Sequence, residues 1–154
     1  MSKTATQVGP AILTDIPALC GLLDCLFAQE LEFTPDHEAQ SRGLARIINS
    51  PEIGHVLVAR QGSEIAGMVC LLYTVSTALG ARVALLEDMI IAPDYRGLGV
   101  GSYLLENAIK FARKNKCRRI TLLTDCANEP AQRFYQRHGF ALSSMLPLRL
   151  PLHE

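Results

Sequence analysis

The spacing of apolar positions changes several times along the chain, and each change marks an element. Leu19, Leu22, Leu23, Leu26 and Phe27 recur at helical spacing behind Asp15-Ile16-Pro17, a capping aspartate with proline in the first turn. Thr34-Pro35-Asp36 breaks that helix, and a second short helix is expected over His37–Ile48. His55–Arg60 and Ile65–Tyr73 are runs of strand formers on either side of Gln61-Gly62-Ser63-Glu64, the signal of a hairpin. Val75–Gly80 is a second turn, feeding a long strand over Ala81–Ile91.

The second half has a different rhythm. Gly99–Lys114 carries Leu104, Leu105, Ala108, Phe111 and Ala112 on one helical stripe. Arg119–Thr124 reads as a short buried strand, and Asn128-Glu129-Pro130 opens a helix that runs to His138 and closes on Gly139. Phe140–Leu152 is expected to supply one or two final strands, with Pro147 and Pro151 confining them to an edge or a bulge. The pattern predicts an α/β fold: an α+β mixed sheet with an antiparallel meander, a central strand–glycine turn–helix and C-terminal strands. No repeat or flexible linker interrupts it, so residues 1–154 read as one domain.

Composition narrows the function classes. The 154 residues are 49% hydrophobic and 19% charged, as in a folded globular protein. Lys plus Arg (15) balances Asp plus Glu (15), which argues against a nucleic-acid partner. The first residues lack the apolar core of a signal sequence, and no stretch approaches the ~20 apolar residues of a membrane span. Five cysteines without a CxxC pair favour reduced, mostly buried thiols and a cytoplasmic location. The four histidines do not join them at ligand spacing, so no metal is expected.

The run Arg96-Gly97-Leu98-Gly99-Val100-Gly101 carries the most chemistry. A glycine-rich turn between a strand and a helix lets backbone amides converge on a phosphate, with the positive end of the helix dipole behind them. A P-loop would need Lys where Gly101-Ser102-Tyr103 has none. A dinucleotide fingerprint fits the order of elements and has Asp125 near the ribose position, but its third glycine falls on Ser102 and too little chain follows.

A third reading rests on two motifs together. Ile90-Ile91-Ala92-Pro93-Asp94-Tyr95 followed by Arg96-x-x-Gly99-x-Gly101 resembles the acetyl-CoA signature of the GNAT superfamily of N-acetyltransferases. Asn128-x-x-Ala131-x-x-Phe134-Tyr135, then Gly139-Phe140, resembles that superfamily's C-terminal motif, in the expected order. The resemblance implies a GNAT fold over nearly the whole chain. It also implies acetyl-CoA as cosubstrate, with the amides around Arg96, Gly97, Leu98, Gly99, Val100, Gly101 and Ser102 on its pyrophosphate. The backbone of Met89, Ile90 and Ile91 would meet the pantetheine arm. Arg96 would serve the phosphates or fix the turn. The basic run Arg113, Lys114, Lys116, Arg118 and Arg119 could reach a CoA phosphate or simply complement a helix end.

Direct acetyl transfer to an amine needs an acid for the departing thiolate and a base for the ammonium. Tyr135 and Asn128 lie seven residues apart, on one helix face. Spacing alone makes Tyr135 a core residue; the resemblance makes it the general acid and places Asn128 on the pantetheine amides, although Asn128 also suits an N-cap. Glu87 and Asp88 sit together in an apolar strand, where unpartnered carboxylates are costly. Strand alternation points them to opposite faces. The resemblance implies a glutamate base at Glu87, with a structural ion pair as the other reading, and Asp88 reads as structural.

The same resemblance locates the acceptor site at Gln29–Gln40 and Val75–Ala81. Glu30, Glu32, Asp36 and Glu38 make the first segment acidic, which suits a cationic small-molecule amine or, equally, capped and solvated helix ends. An inactive CoA-binding regulator of the same fold is the alternative to an enzyme. A homodimer is consistent with the family and with the apolar stretch Ala141–Leu152.

Overall fold

The computed structural model describes residues 5–29 and 34–153, which fall into two compact units, Met1–Leu123 and Thr124–Glu154. The first unit is built on a five-stranded sheet in the order β1-β2-β3-β4-β5. Its strands are β1 (Thr6–Pro10), β2 (Gly54–Gln61), β3 (Glu64–Ser76), β4 (Ala81–Ile91) and β5 (Ile120–Leu122). β1 to β4 form an antiparallel meander in space, and β5 joins β4 in parallel. Helices α1 (Ile16–Phe27) and α2 (His37–Ile48) precede β2, and α3 (Val100–Lys114) is the crossover from β4 to β5. A helical crossover is what a parallel neighbour requires.

Strand alternation divides the core between two faces. Val56, Val58, Met68, Cys70 and Ile90 pack with Leu19, Leu22, Leu23 and Leu44 of α1 and α2. The intervening Leu57, Val69 and Leu71 are fully buried on the opposite side, where α3 buries Leu104, Leu105 and Ala108. Both sides of the central strands are therefore covered. That explains why they read as near-continuous apolar runs.

In the first unit the expected elements form, α2 and β4 without any boundary shift, while β5 is cut from the expected Arg119–Thr124 to three residues, none of them buried. β1 was not anticipated: Thr6-Gln7-Val8-Gly9-Pro10 has little strand propensity, and its pairing with β2 is made by tertiary context. Asp15 stands at the N-cap of α1, but its side chain makes no cap bond there. It accepts the Ile12 N–H at 2.8 Å and both guanidinium nitrogens of Arg60. His55, half-buried against Phe111 with Nδ1 2.7 Å from the Tyr73 hydroxyl, is a satisfied core histidine.

The second unit holds α4 (Glu129–Arg137), closed by Gly139 at φ +96°. The strands expected over Phe140–Leu152 do not form: residues 140–153 are extended or irregular and join no ladder. Pro147 and Pro151 strip two donors from one edge of that segment, and beyond Phe140 its side chains are exposed. The expectation of mostly buried thiols also needs correcting. All five cysteines are free, yet only Cys20 and Cys70 are buried, and Cys126 is exposed.

The Arg60 guanidinium beside Asp15 holds its carboxyl below the usual range, against a smaller opposing effect of burial. A carboxylate depressed in the folded state stabilises the fold above its unfolded pKa, and that contribution is lost as pH falls through the folded value. Asp15→Asn should therefore cost about 2 kcal/mol at neutral pH, given partial burial of the pair. Urea unfolding of both proteins should show the difference shrinking below about pH 4, where the unfolded carboxyl itself titrates.

Candidate active site

The strand β4, the glycine turn and the start of α3 form one continuous piece of chain. β4 carries an irregularity at its centre. Cys70 pairs with Glu87 and Met68 with Ile90, so Val69 alone faces both Asp88 and Met89. This is a bulge, with one residue too many on β4. Asp88 takes it up at φ +54°, a left-handed conformation in which Asp and Asn are enriched among non-glycine residues.

The bulge corrects the expected facing of the two carboxylates. Directly opposed residues share a face, so Glu87 lies on the α1/α2 side with Cys70, and Ile90 lies on that same side with Met68. Without the extra residue, Glu87 and Ile90 would point in opposite directions. Asp88 does not alternate away either: its carboxylate accepts a hydrogen bond from the buried Cys70 thiol. Burial pushes that thiol well above its ordinary pKa, and the charges of Asp88 and Glu87 push it further. Both acids therefore lie within electrostatic reach of one sulfur. Glu87 is exposed, whereas Asp88 is partly buried.

Beyond β4 the chain makes a 3-10 turn at Pro93–Tyr95 and enters the glycine run. Two side chains pin this passage: the Tyr95 hydroxyl donates to the Glu64 carboxylate at the start of β3, and Arg96 Nε donates to the Ile91 carbonyl at 3.0 Å. Arg96 thus fixes the turn, and it occupies one carbonyl of the Met89–Ile91 segment expected to meet pantetheine. Gly97 and Gly99 have φ of +75° and +83°. A Cβ at either would meet nothing within 4 Å, so dihedral preference and not space requires glycine there. At Gly67 the reason is space, since a Cβ would stand 3.0 Å from the Ile90 carbonyl oxygen and also crowd the Ile91 side chain beside the bulge.

No side chain caps α3. Gly99 is its N-cap, and Tyr103 N–H bonds the Gly99 carbonyl at 3.1 Å. The amides of Val100, Gly101 and Ser102 lie ahead of that first bond, at the positive end of the dipole. This arrangement suits a phosphate. The basic run Arg113–Arg119 begins at the other end of α3, roughly 20 Å away at 1.5 Å per residue. It borders a separate surface depression of about 570 Å³ lined by Ala81, Arg82, Lys114, Asn115 and Lys116. It therefore complements the helix C-terminus and stands away from the turn.

In the second unit, Asn128 caps α4, its Oδ1 accepting the Ala131 N–H at 3.2 Å. The capping role is thus realised, and the amide nitrogen keeps its donors. Tyr135 lies two turns on, edge-to-face with Phe134 and Phe140, and burial pushes its phenol up to about 12. It stays protonated across the working range of any enzyme.

On the acceptor side, Asp36 Oδ1 accepts the Ala39 N–H at 3.2 Å as the cap of α2, and Glu38 sits in that helix's first turn. Their acidity has a local structural use. Glu30 and Glu32 lie outside the described residues. His37 and Gln40 of α2 both reach Asp24 of α1, at 2.5 and 3.3 Å, tying the two helices together. Sequence reasoning missed the Cys70–Asp88 contact and the Tyr95–Glu64 tie. The one available signal was an aspartate in mid-strand, a residue suited to a left-handed bulge.

A family model described as acetyltransferase (GNAT) family matches residues 21–140. The chain belongs to the GNAT acetyltransferase family. An uncharacterized N-acetyltransferase of Bacillus subtilis is 30% identical over 96 residues, 62% of this chain and 63% of that protein. The aminoalkylphosphonate N-acetyltransferase of Salmonella typhimurium is 28% identical over 133 residues, covering 86% of this chain and 83% of its own. A solved structure described as a transcriptional regulator from Bacillus halodurans superposes with a TM-score of 0.81 at 26% identity, over 96% of this chain and 100% of that one. Matches to three curated relatives span 63%, 42% and 36% of those proteins' lengths. Among the described residues, no group of three or more His, Cys, Asp or Glu could hold a metal ion, and no helix is long and apolar enough to cross a membrane.

Membership in this family makes the glycine turn directly testable. Gly99→Ala forces a side chain into the left-handed region at a cost of about 1–2 kcal/mol. Calorimetric titration with acetyl-CoA should show affinity falling about tenfold, with a modest loss of thermal stability. An unchanged dissociation constant would exclude the turn from the binding surface.

Proposed function

We propose that this protein is an N-acetyltransferase that moves the acetyl group of acetyl-CoA directly to a primary amine of a small molecule, within a ternary complex. The observation that carries this reading is the uncapped start of α3 behind two left-handed glycines, continuous with a bulged strand that bears Glu87. Residues 1–154 act as one domain, in the cytoplasm and as a homodimer, without nucleic-acid or membrane partners. The amides of residues 97–102 hold the pyrophosphate, and Arg96 keeps the turn in shape. Met89, Ile90 and Asn128 meet the pantetheine arm, together with whatever pairing Ile91 retains beside its bond to Arg96.

The reaction takes two protons from the ammonium nitrogen and delivers one to the departing sulfur. Free alkylamines have a pKa of about 10 and are mostly charged at neutral pH. Glu87, on the α1/α2 side where the acceptor enters, takes the ammonium proton directly or through water. The amine nitrogen then bonds the thioester carbonyl carbon; as that adduct collapses the C–S bond breaks, the sulfur leaves with the electron pair, and the nitrogen gives up its second proton to solvent water to leave the neutral amide. Tyr135 donates to that sulfur. With its phenol near 12 and a thiol near about 8.5, full transfer to a free thiolate is uphill. Its contribution is greatest while charge builds on the sulfur in the transition state, where a hydrogen bond counts most.

Support for an amine acceptor comes from the relative named for aminoalkylphosphonates, which matches most of the chain. A second relative, 40% identical over 62 residues, is a streptothricin acetyltransferase. The acceptor need not be strongly cationic, since Asp36 is committed to capping α2.

An acceptor panel read by release of the CoA thiol tests the activity. Turnover is expected with at least one small primary amine. Tyr135→Phe should lower kcat about a hundredfold, with the KM for acetyl-CoA changed less than about threefold and no alkaline limb lost below about pH 11, because Tyr135 does not titrate there. Glu87→Gln should lower kcat/KM about a hundredfold, with acetyl-CoA affinity by calorimetric titration largely kept. Acetyl-CoA binding without thiol release against every amine would favour a CoA-binding regulator.

A further inference from the structure

Ten residues around the far end of α3, Lys110–Arg119, hold six of the chain's fifteen Lys and Arg and no acidic residue. In a chain of zero formal net charge, so much charge of one sign in one place calls for a reason. The helix end accounts for only part of it. The macrodipole leaves about half an elementary charge there, and the last carbonyls of α3 are already bonded. The Phe111 carbonyl accepts the Asn115 N–H at 3.0 Å and the Asn115 side-chain amide at 2.8 Å. The Ala112 and Arg113 carbonyls accept the N–H groups of Cys117 and Lys116, each at 2.9 Å. Arg82, Lys110, Lys114, Lys116 and Arg118 have no ion-pair partner among the described residues.

The bonds to Ala112 and Arg113 make a Schellman ending, in which the residue after the C-cap is left-handed and is usually glycine. Here that residue is Lys116, at φ +67°. Asp and Asn are enriched in this region because their short polar side chains bond locally, and lysine has no such compensation. Glycine would close α3 with less strain, so the turn alone does not account for Lys116. Backbone strain retained where an easier residue is available points to a use for the side chain. The Lys116 side chain stands exposed at the surface.

Lys116 lines the depression of about 570 Å³ together with Ala81, Arg82, Lys114 and Asn115. That volume is in the range of small-molecule sites, and no acidic side chain lines it. Arg82 comes from the start of β4, and its guanidinium carbon lies 4.5 Å from the centre of the Tyr73 ring. The ring is itself held, since the Tyr73 hydroxyl is 2.7 Å from His55 Nδ1. A guanidinium resting on an aromatic face keeps its orientation while its N–H donors stay available to a ligand. A fork of that kind matches the oxygens of a phosphate, and the two lysines add point charges beside it.

We propose that this depression is an anion site for a small phosphorylated molecule, with Arg82 as the fork and Lys114 and Lys116 as the flanking charges. It lies at the opposite end of α3 from the glycine turn, and it requires no acetyl transfer. Three cations around one depression exceed what a single carboxylate calls for and suit a phosphate of two or more charges. A nucleic-acid strand would call for a net basic excess, which the chain lacks.

Calorimetric titration of the full chain with inorganic pyrophosphate should show saturable binding at submillimolar concentration. Arg82→Gln should weaken it at least about tenfold, the scale of a charge-assisted hydrogen bond. Lys116→Gly should weaken it about fivefold, as expected for an exposed charge. The same variant should melt about 2–4 °C higher, because glycine relieves the left-handed strain. Its loss of binding therefore cannot be put down to misfolding. Saturating CoA should leave the pyrophosphate affinity within about twofold. Competition between the two would place pyrophosphate at the glycine turn and reject the site. Binding that survives both substitutions, or no saturable binding at millimolar concentration, rejects it as well. Tight binding of a polyglutamate peptide or an oligodeoxynucleotide where pyrophosphate fails to saturate would make this a macromolecular docking face, again against the proposal.

Discussion

The site depends on one surplus residue in β4. Antiparallel strands impose a strict period of two, so a carboxylate and an apolar residue three positions apart cannot both face the α1/α2 layer. The bulge at Asp88 lifts that restriction: Glu87 opposes Cys70 and Ile90 opposes Met68, all four on one side. Ile90 can then serve the core while Glu87 emerges beside it. The same irregularity breaks the regular β3–β4 ladder at Val69, just ahead of the backbone segment proposed to meet the pantetheine arm. The cost is a non-glycine residue at positive φ, an expense of about 1–3 kcal/mol when such strain is stored at a functional site.

The turn after β4 obeys a different constraint. A phosphate cradle needs amides that are not already used, so the start of α3 must be left without a side-chain cap, although a cap would stabilise the helix by about 1 kcal/mol. Stability is recovered around the turn instead. Arg96 is fastened to the Ile91 carbonyl and Tyr95 to Glu64. α3 buries Val100, Leu104, Leu105, Ala108 and Ala112 against the sheet. The helix is anchored by its apolar stripe along its length and does not depend on a side-chain cap at its start. α4 makes the opposite choice: Asn128 caps it in the ordinary way, and the helix offers Tyr135 from its last turns.

Much of this was legible in the amino-acid order because the relevant rules are local. Helical periodicity, the Pro35 break and the glycines at 97 and 99 act within a few residues, and α2, β4 and the glycine turn came out as read. β1 was not legible, since Thr6–Pro10 owes its strand to β2, some fifty residues away in the chain. The facing of Glu87 and Asp88 was misread for a related reason. Alternation is a property of one strand, whereas a bulge is a property of a pair, and only the register against Met68 and Cys70 reveals it. Asp36 and Asp15 show a further limit. Both were recognisable as capping types, and Asp36 does cap α2, but the Asp15 carboxylate is drawn instead to Arg60 by a contact that no local pattern encodes.

The C-terminal stretch inverts that relation between pattern and structure. Its period of two was plain in the sequence, and strands were the natural expectation, yet none forms within one chain. A strand is not a property that a segment possesses alone; it needs an edge whose free donors and acceptors match its own. Pro147 and Pro151 remove one of the segment's two edges, and the leucines demand cover that residues 124–154 do not provide. The pattern therefore says what the segment is suited to do, while the pairing edge it needs is a property of other residues that no local rule encodes.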